Sequence, residues 1–184
     1  MIITLVFVVI LVLIVLIVVW GIGAYNRMIQ SKEMIDNSMG QIAAQVESRW
    51  DALTNLIQAT KNYQSHEADT LINVVKNRQK INPDATVEEV EHDQDLFQKA
   101  MRSIDVVVEQ YPELKAASVY QTTMDSVNNY ENNVRQARMI FNDTVTKYNR
   151  TIKTFPNSLV AGMTGFYPEE YFRGSEEKQE MPQW

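Results

Sequence analysis

The sequence predicts an all-α protein, a single N-terminal transmembrane helix running into a long antiparallel helical bundle of about four helices. Three observations carry this. The chain of 184 residues opens on an apolar run, Ile2 to Trp20, in which Thr4 is the one polar residue. Apolar residues then recur in alternating steps of three and four, the spacing of a helix with one buried stripe. No segment of useful length alternates with the two-residue period of a strand.

The elements follow in order. At the helical rise, Ile2 to Trp20 spans roughly 28 Å, close to the roughly 30 Å hydrocarbon core of a bilayer. A secretory signal peptide is the competing reading, with small residues for cleavage in Gly21-Ile22-Gly23-Ala24. The missing basic leader and the length of the apolar run favour an uncleaved anchor over residues 1–24. Trp20 and Tyr25 suit a membrane interface. Arg27 and Lys32, the first basic residues after the span, favour a cell-membrane protein with a cytoplasmic C-terminal domain, an orientation that rests on those two charges.

The bundle occupies residues 25–155. Its first helix carries Tyr25, Met28, Lys32, Ile35, Met39, Ile42, Val46, Arg49, Leu53, Leu56, Thr60 and Tyr63 on one stripe, and no Gly or Pro cluster beyond Gly21 and Gly23 separates it from the anchor. Anchor and stem therefore read as one rod. Ser65, with Glu67 and Asp69 behind it, caps a second helix that ends near Asn82-Pro83-Asp84. Thr86 and Glu89 form a capping box for a third, whose stripe is Val87, Val90, Gln94, Phe97, Met101, Ile104, Val108 and Tyr111. A fourth starts near Pro112, carries Ala117, Tyr120, Met124, Val127, Glu131, Val134, Arg138, Phe141, Val145, Tyr148 and Ile152, and ends at Phe155-Pro156-Asn157. Helices one and four, each about forty residues long, reach roughly 60 Å and outrun the two between them, at about 22 and 38 Å. The tail, residues 156–184, reads as an extended segment without periodicity after about Gly174.

Composition excludes several functions. A formal net charge of −6 leaves no basic surface for nucleic acid. With no cysteine, disulfides, thiolate nucleophiles and Cys-bound zinc are excluded. His66-Glu67 begins like the zinc-protease motif HExxH, but Ala68, Asp69 and Thr70 follow and the second histidine is missing. Glu89 and His92 make one Glu-x-x-His element of a di-iron bundle, which needs two such elements and two more carboxylates. No GxSxG, GxGxxG or P-loop occurs. The sequence predicts no catalytic residue, no cofactor and no metal site.

One constellation stands out. Arg49 sits in the stripe of helix one, and Glu131 and Arg138 sit one heptad apart in that of helix four, three charges where leucine is expected. They predict a buried charge layer in which Glu131 neutralises one or both arginines. A ligand or ion site is one reading; a polar layer that fixes helix register is the other and the better attested. In the tail, Phe166, Tyr167, Tyr171 and Phe172 lie either on the bundle flank or against a partner or membrane.

Taken together, the anchor followed by "YNRMI", "RWDALTNL" running into "KNYQSHE", then "EQYPELKA", "YENNVRQAR", "FNDTVTKYN" and "FPNSLVA" resembles the LemA family of bacterial membrane proteins, over about residues 20–172. The resemblance implies one N-terminal membrane helix, a long antiparallel bundle and no established enzymatic activity. Family members often have genes beside a membrane-bound zinc protease, and the family is similar to proteins that form magnetosome membranes. Thr54 stands where the family usually has a proline, which would bend the stem. The expected function is a non-enzymatic, membrane-anchored scaffold or adaptor. Alternatives are an accessory or regulatory subunit of a membrane enzyme such as a zinc metalloprotease, and a metal- or ligand-binding bundle. The expected partners are the lipid bilayer, through the N-terminal helix, and a membrane protein of unknown identity; a homo-oligomer is among the assemblies the sequence permits.

Overall fold

The computed structural model describes residues 1–60, 75 and 80–173. The expected second helix with its Ser65 cap, His66-Glu67, Tyr63 and the tail beyond Arg173 lie outside the described residues. The helices are α1 (Ile2–Thr60), α2 (Val87–Gln110), α3 (Pro112–Ala116), α4 (Ser118–Lys153) and α5 (Asn157–Thr164), and no strand occurs among the described residues.

The apolar run and the stem form one helix, α1, of 59 residues. Thr54 lets it continue: it keeps the backbone N–H that proline lacks, and its hydroxyl donates to the Trp50 carbonyl at 2.7 Å. From Ile2 to Val19 each large apolar side chain is at least 49% exposed, and none of the described residues covers this stretch. By length and composition α1 is able to cross a membrane. Side-chain burial begins at Ala24 and Met28.

The chain forms two compact units, Met1–Ile35 with Asn142–Glu170, and Asp36–Phe141 with Tyr171–Trp184. In the first, the buried apolar residues are Ala24, Met28 and Ile35 of α1, Val145, Tyr148 and Ile152 of α4, and Ala161 of α5. In the second, Ile42, Val46, Trp50, Leu53 and Leu56 of α1, Val90, Phe97, Ile104 and Val108 of α2, and Val127, Val134 and Phe141 of α4 make the core. Within this second unit α1 and α4 run antiparallel: Arg49 meets Glu131, while Gln45, one turn earlier, accepts from Asn133 at 3.2 Å.

Three details differ from the sequence expectation. The buried stripe of α2 passes through Asp93 and Ala100 instead of Gln94 and Met101. Both choices satisfy three-four stepping, and the partner across the core decides between them. Pro112 heads the short α3, and the hydrogen-bond ladder restarts beyond it with the Gln121 N–H donating to Ala117. The tail is not extended throughout. After a cis Phe155–Pro156 peptide it winds α5, which Gly165 closes in a left-handed turn at φ 77° by donating its N–H to the Ala161 carbonyl.

Candidate functional site

In the second unit α1, α2 and α4 bring a charged cluster into the core. Arg49 is 0% exposed. Its Nη1 donates to Glu131 Oε2 at 2.5 Å and to Gln94 Oε1 at 2.7 Å, and its Nη2 donates to Asp93 Oδ2 at 3.0 Å. Asp93, also fully buried, takes a second bond from Trp50 Nε1 at 2.9 Å. The Gln94 amide then donates to Glu131 Oε1 at 3.0 Å, which closes a ring of hydrogen bonds. The Phe97 ring lies 3.9 Å from the Arg49 guanidinium carbon and meets Trp50 edge-on at 5.1 Å. Arg49 therefore has carboxylates and an amide in its plane and an aromatic face against it, an arrangement that suits a desolvated guanidinium.

Arg138 makes different contacts. Its Nη2 donates to the Val90 carbonyl at 3.4 Å, and its guanidinium carbon lies 5.0 Å from the Phe172 ring centroid. Burial, then the positive charge of Arg49, lowers its pKa; Glu131, Glu91 and Asp93 oppose the fall. Glu131 thus holds Arg49 by direct contact and Arg138 through its field. The ring, with Asp93 and the neighbouring Arg138, holds two arginines and two carboxylates, whose formal charges cancel. It presents no nucleophile and no open coordination position. Among the described residues no group of three His, Cys, Asp or Glu is placed to hold a metal ion. Glu89 is engaged in the capping box, accepting from the Thr86 N–H at 2.8 Å, and His92 points to solvent.

Beside the cluster, α1 and α4 leave an open cleft of about 340 Å³ lined by polar side chains that include Ser48, Asp51, Asn55, Thr123, Ser126 and Tyr130.

The tail residues separate. Phe166 packs edge-on against Tyr25 with centroids 5.7 Å apart. Asn149 grips the Glu169 backbone with two 2.9 Å hydrogen bonds, donating to its carbonyl and accepting from its N–H, and the Glu169 carboxylate takes Lys32. Tyr148 donates its hydroxyl to the Tyr167 carbonyl at 2.9 Å, which leaves the Tyr167 ring 75% exposed. Tyr171 is 43% exposed. Phe172 packs inside its own unit: it is 5% exposed, wedged between Phe141, at 5.0 Å, and Arg138. Its burial beside an arginine is what removes it from the surface.

The model of the LemA family matches residues 38–184. The chain belongs to the LemA family. It is 24% identical over 156 residues to protein LemA of Metamycoplasma hominis, covering 84% of this chain and 71% of that one. It is 34% identical over 76 residues to magnetosome protein MamQ of Magnetospirillum gryphiswaldense, and 32% identical over 77 residues to MamQ 2 of Paramagnetospirillum magneticum. Those two matches cover 41% and 42% of this chain and only 28% of each relative's own length.

In this LemA-family chain the expected buried layer of Arg49, Glu131 and Arg138 is buried at Arg49 alone: Glu131 keeps 31% of its side chain exposed, and Arg138 is partly exposed. Asp93, Trp50 and Phe97, which join Arg49, were not expected there. The signal for Asp93 was the alternative stripe Val90, Asp93, Phe97, Ala100, Ile104, which places a carboxylate three residues from one apolar position and four from the next.

Proposed function

We propose that this LemA-family protein is a non-enzymatic, single-pass membrane scaffold or adaptor, anchored in the cell membrane by the start of α1 and facing partners with the surface of its bundle. The observation that carries the reading is α1 itself: an exposed apolar stretch, covered by none of the described residues, continues without a break into a packed helix. The charged cluster supports it further, since buried Arg49 and Asp93 and the partly exposed Gln94 and Glu131 engage one another as internal structure. Arg27 and Lys32, just beyond the span, favour a cytoplasmic C-terminal part. The relatives named for magnetosomes are consistent with work at a membrane, and their role comes no further than that.

The test is photocrosslinking in intact cells from Met139 and Tyr171, exposed positions of the second unit at 61% and 43%. Capture of one specific membrane protein is expected. If that protein is a protease whose rate changes when this chain is deleted, the accessory-subunit reading replaces the scaffold. Capture of nothing but lipid or the chain itself would remove the adaptor reading.

A further inference from the structure

The short helix α5 carries a face that no part of its own unit covers. Leu159 and Met163, one turn apart on α5, are 59% and 88% exposed; Phe155 and Tyr167, four residues beyond on either side, are 76% and 75% exposed. Ala161, on the other side of the helix, is 4% exposed and packed. Leu159 and Met163 make an exposed apolar face on α5, and Phe155 and Tyr167 add large exposed rings just outside its two ends, an apolar surface that meets something other than water.

Contacts inside the same unit set where this patch lies along α1. Phe166, the first residue after the Gly165 turn, rests against Tyr25. Tyr25 follows the end of the apolar run at Trp20 by roughly 8 Å at the helical rise. The headgroup zone reaches about 5 to 8 Å beyond the hydrocarbon, so Phe166 is held at headgroup level in any bilayer that α1 crosses. Glu169, paired with Lys32, is level with a point on α1 roughly 18 Å beyond Trp20. Phe166 is therefore about 10 Å nearer the bilayer than Glu169, and α5 lies immediately before Phe166 in the chain. Exposed cations bracket this region: Arg27 on α1, with Arg150 and Lys153 in the last turn of α4. An apolar face flanked by cations at headgroup depth is the makeup of a helix that lies in the membrane interface.

We propose that α5, with Phe155 and Tyr167, is an interfacial helix whose apolar face rests in the headgroup layer of the bilayer that α1 crosses. The inference rests on the anchor reading of α1. It gives this unit a second membrane contact, and the occupant of the patch is lipid.

Because the chain has no cysteine, single-cysteine variants carry one label each. Leu159→Cys, Met163→Cys, Val15→Cys and Asp143→Cys, spin-labelled in the full-length chain and reconstituted into phosphatidylcholine–phosphatidylglycerol vesicles, report depth as the ratio of collisions with oxygen to collisions with a water-soluble nickel chelate. Labels at 159 and 163 are expected to favour oxygen, as the label at 15 in the span does, while the label at 143 favours nickel. If 15 favours oxygen but 159 and 163 match 143, the interfacial helix is wrong and the anchor stands. If 15 also matches 143, the anchor reading fails and takes this inference with it. Labels at 159 and 163 shielded from both reagents would put protein on the face and overturn the lipid assignment.

Discussion

Asp93 is the residue on which the buried cluster balances. Without it, Arg49, a guanidinium with no access to water, keeps one carboxylate, Glu131, instead of two. Breaking a buried ion pair from one side costs roughly 3 to 5 kcal/mol, so Asp93→Asn is expected to lower the urea midpoint of the detergent-solubilised chain by that equivalent. Arg49→Met combined with Asp93→Leu removes charges of both signs and should recover much of the loss; additive losses in the double variant would show that the two residues do not interact. Tyr148 supplies a pH signature. Burial first, and then the charge of Glu169, raises its phenol above the ordinary value of 10.0. A raised folded value means that its contribution is complete below about pH 10 and is lost as pH rises through the folded pKa. Thermal stability should therefore fall more steeply above pH 10 in the natural chain than in Tyr148→Phe, and parallel profiles would refute this. Arg49 and Glu131 were legible in the sequence because a charge interrupts an otherwise apolar stripe. Asp93 was not, since a stripe that steps on from Val90 can land on Asp93 or Gln94, and only the facing Arg49 and Trp50 decide.

Helix ends show the same division between local and distant causes. The start of α2 was readable because a capping box is complete within four residues: Thr86 accepts from the Glu89 N–H at 3.2 Å while the Glu89 carboxylate takes the Thr86 N–H. Thr86→Ala is expected to cost about 1 kcal/mol and Thr86→Ser a few tenths, read from chemical unfolding. The small helix α5 was not readable. Gly162 lies inside it, where glycine weakens a helix, and Pro156 before it looked like an end; the burial of Ala161 compensates, a tertiary effect no local pattern carries. Its closing residue can be tested directly. Gly165 sits at φ 77°, where a Cβ meets no neighbour but the backbone conformation is disfavoured, so Gly165→Ala should cost about 1 kcal/mol from strain alone.

For the whole molecule, the decisive quantity is how strongly the start of α1 prefers lipid. Between Ile2 and Val19 there are 17 leucine, isoleucine, valine and phenylalanine residues. At about 0.3 to 0.6 kcal/mol each on an insertion scale, they favour the bilayer by about 5 to 10 kcal/mol. An arginine near the centre opposes this by about 3 kcal/mol. Val12→Arg alone should thus leave the chain in the membrane fraction after alkaline extraction, whereas Val9→Arg, Val12→Arg and Val15→Arg together should release it. The graded response matters because a packed soluble helix would behave differently: three buried arginines would unfold it, and the protein would be degraded or aggregate. Here the positions are open and the packed residues begin only at Ala24, so the released triple variant should keep its helical circular dichroism beyond the anchor. Loss of that signal together with membrane release would mean that the apolar stretch contributes to the core of the protein, and the anchor assignment would have to be abandoned.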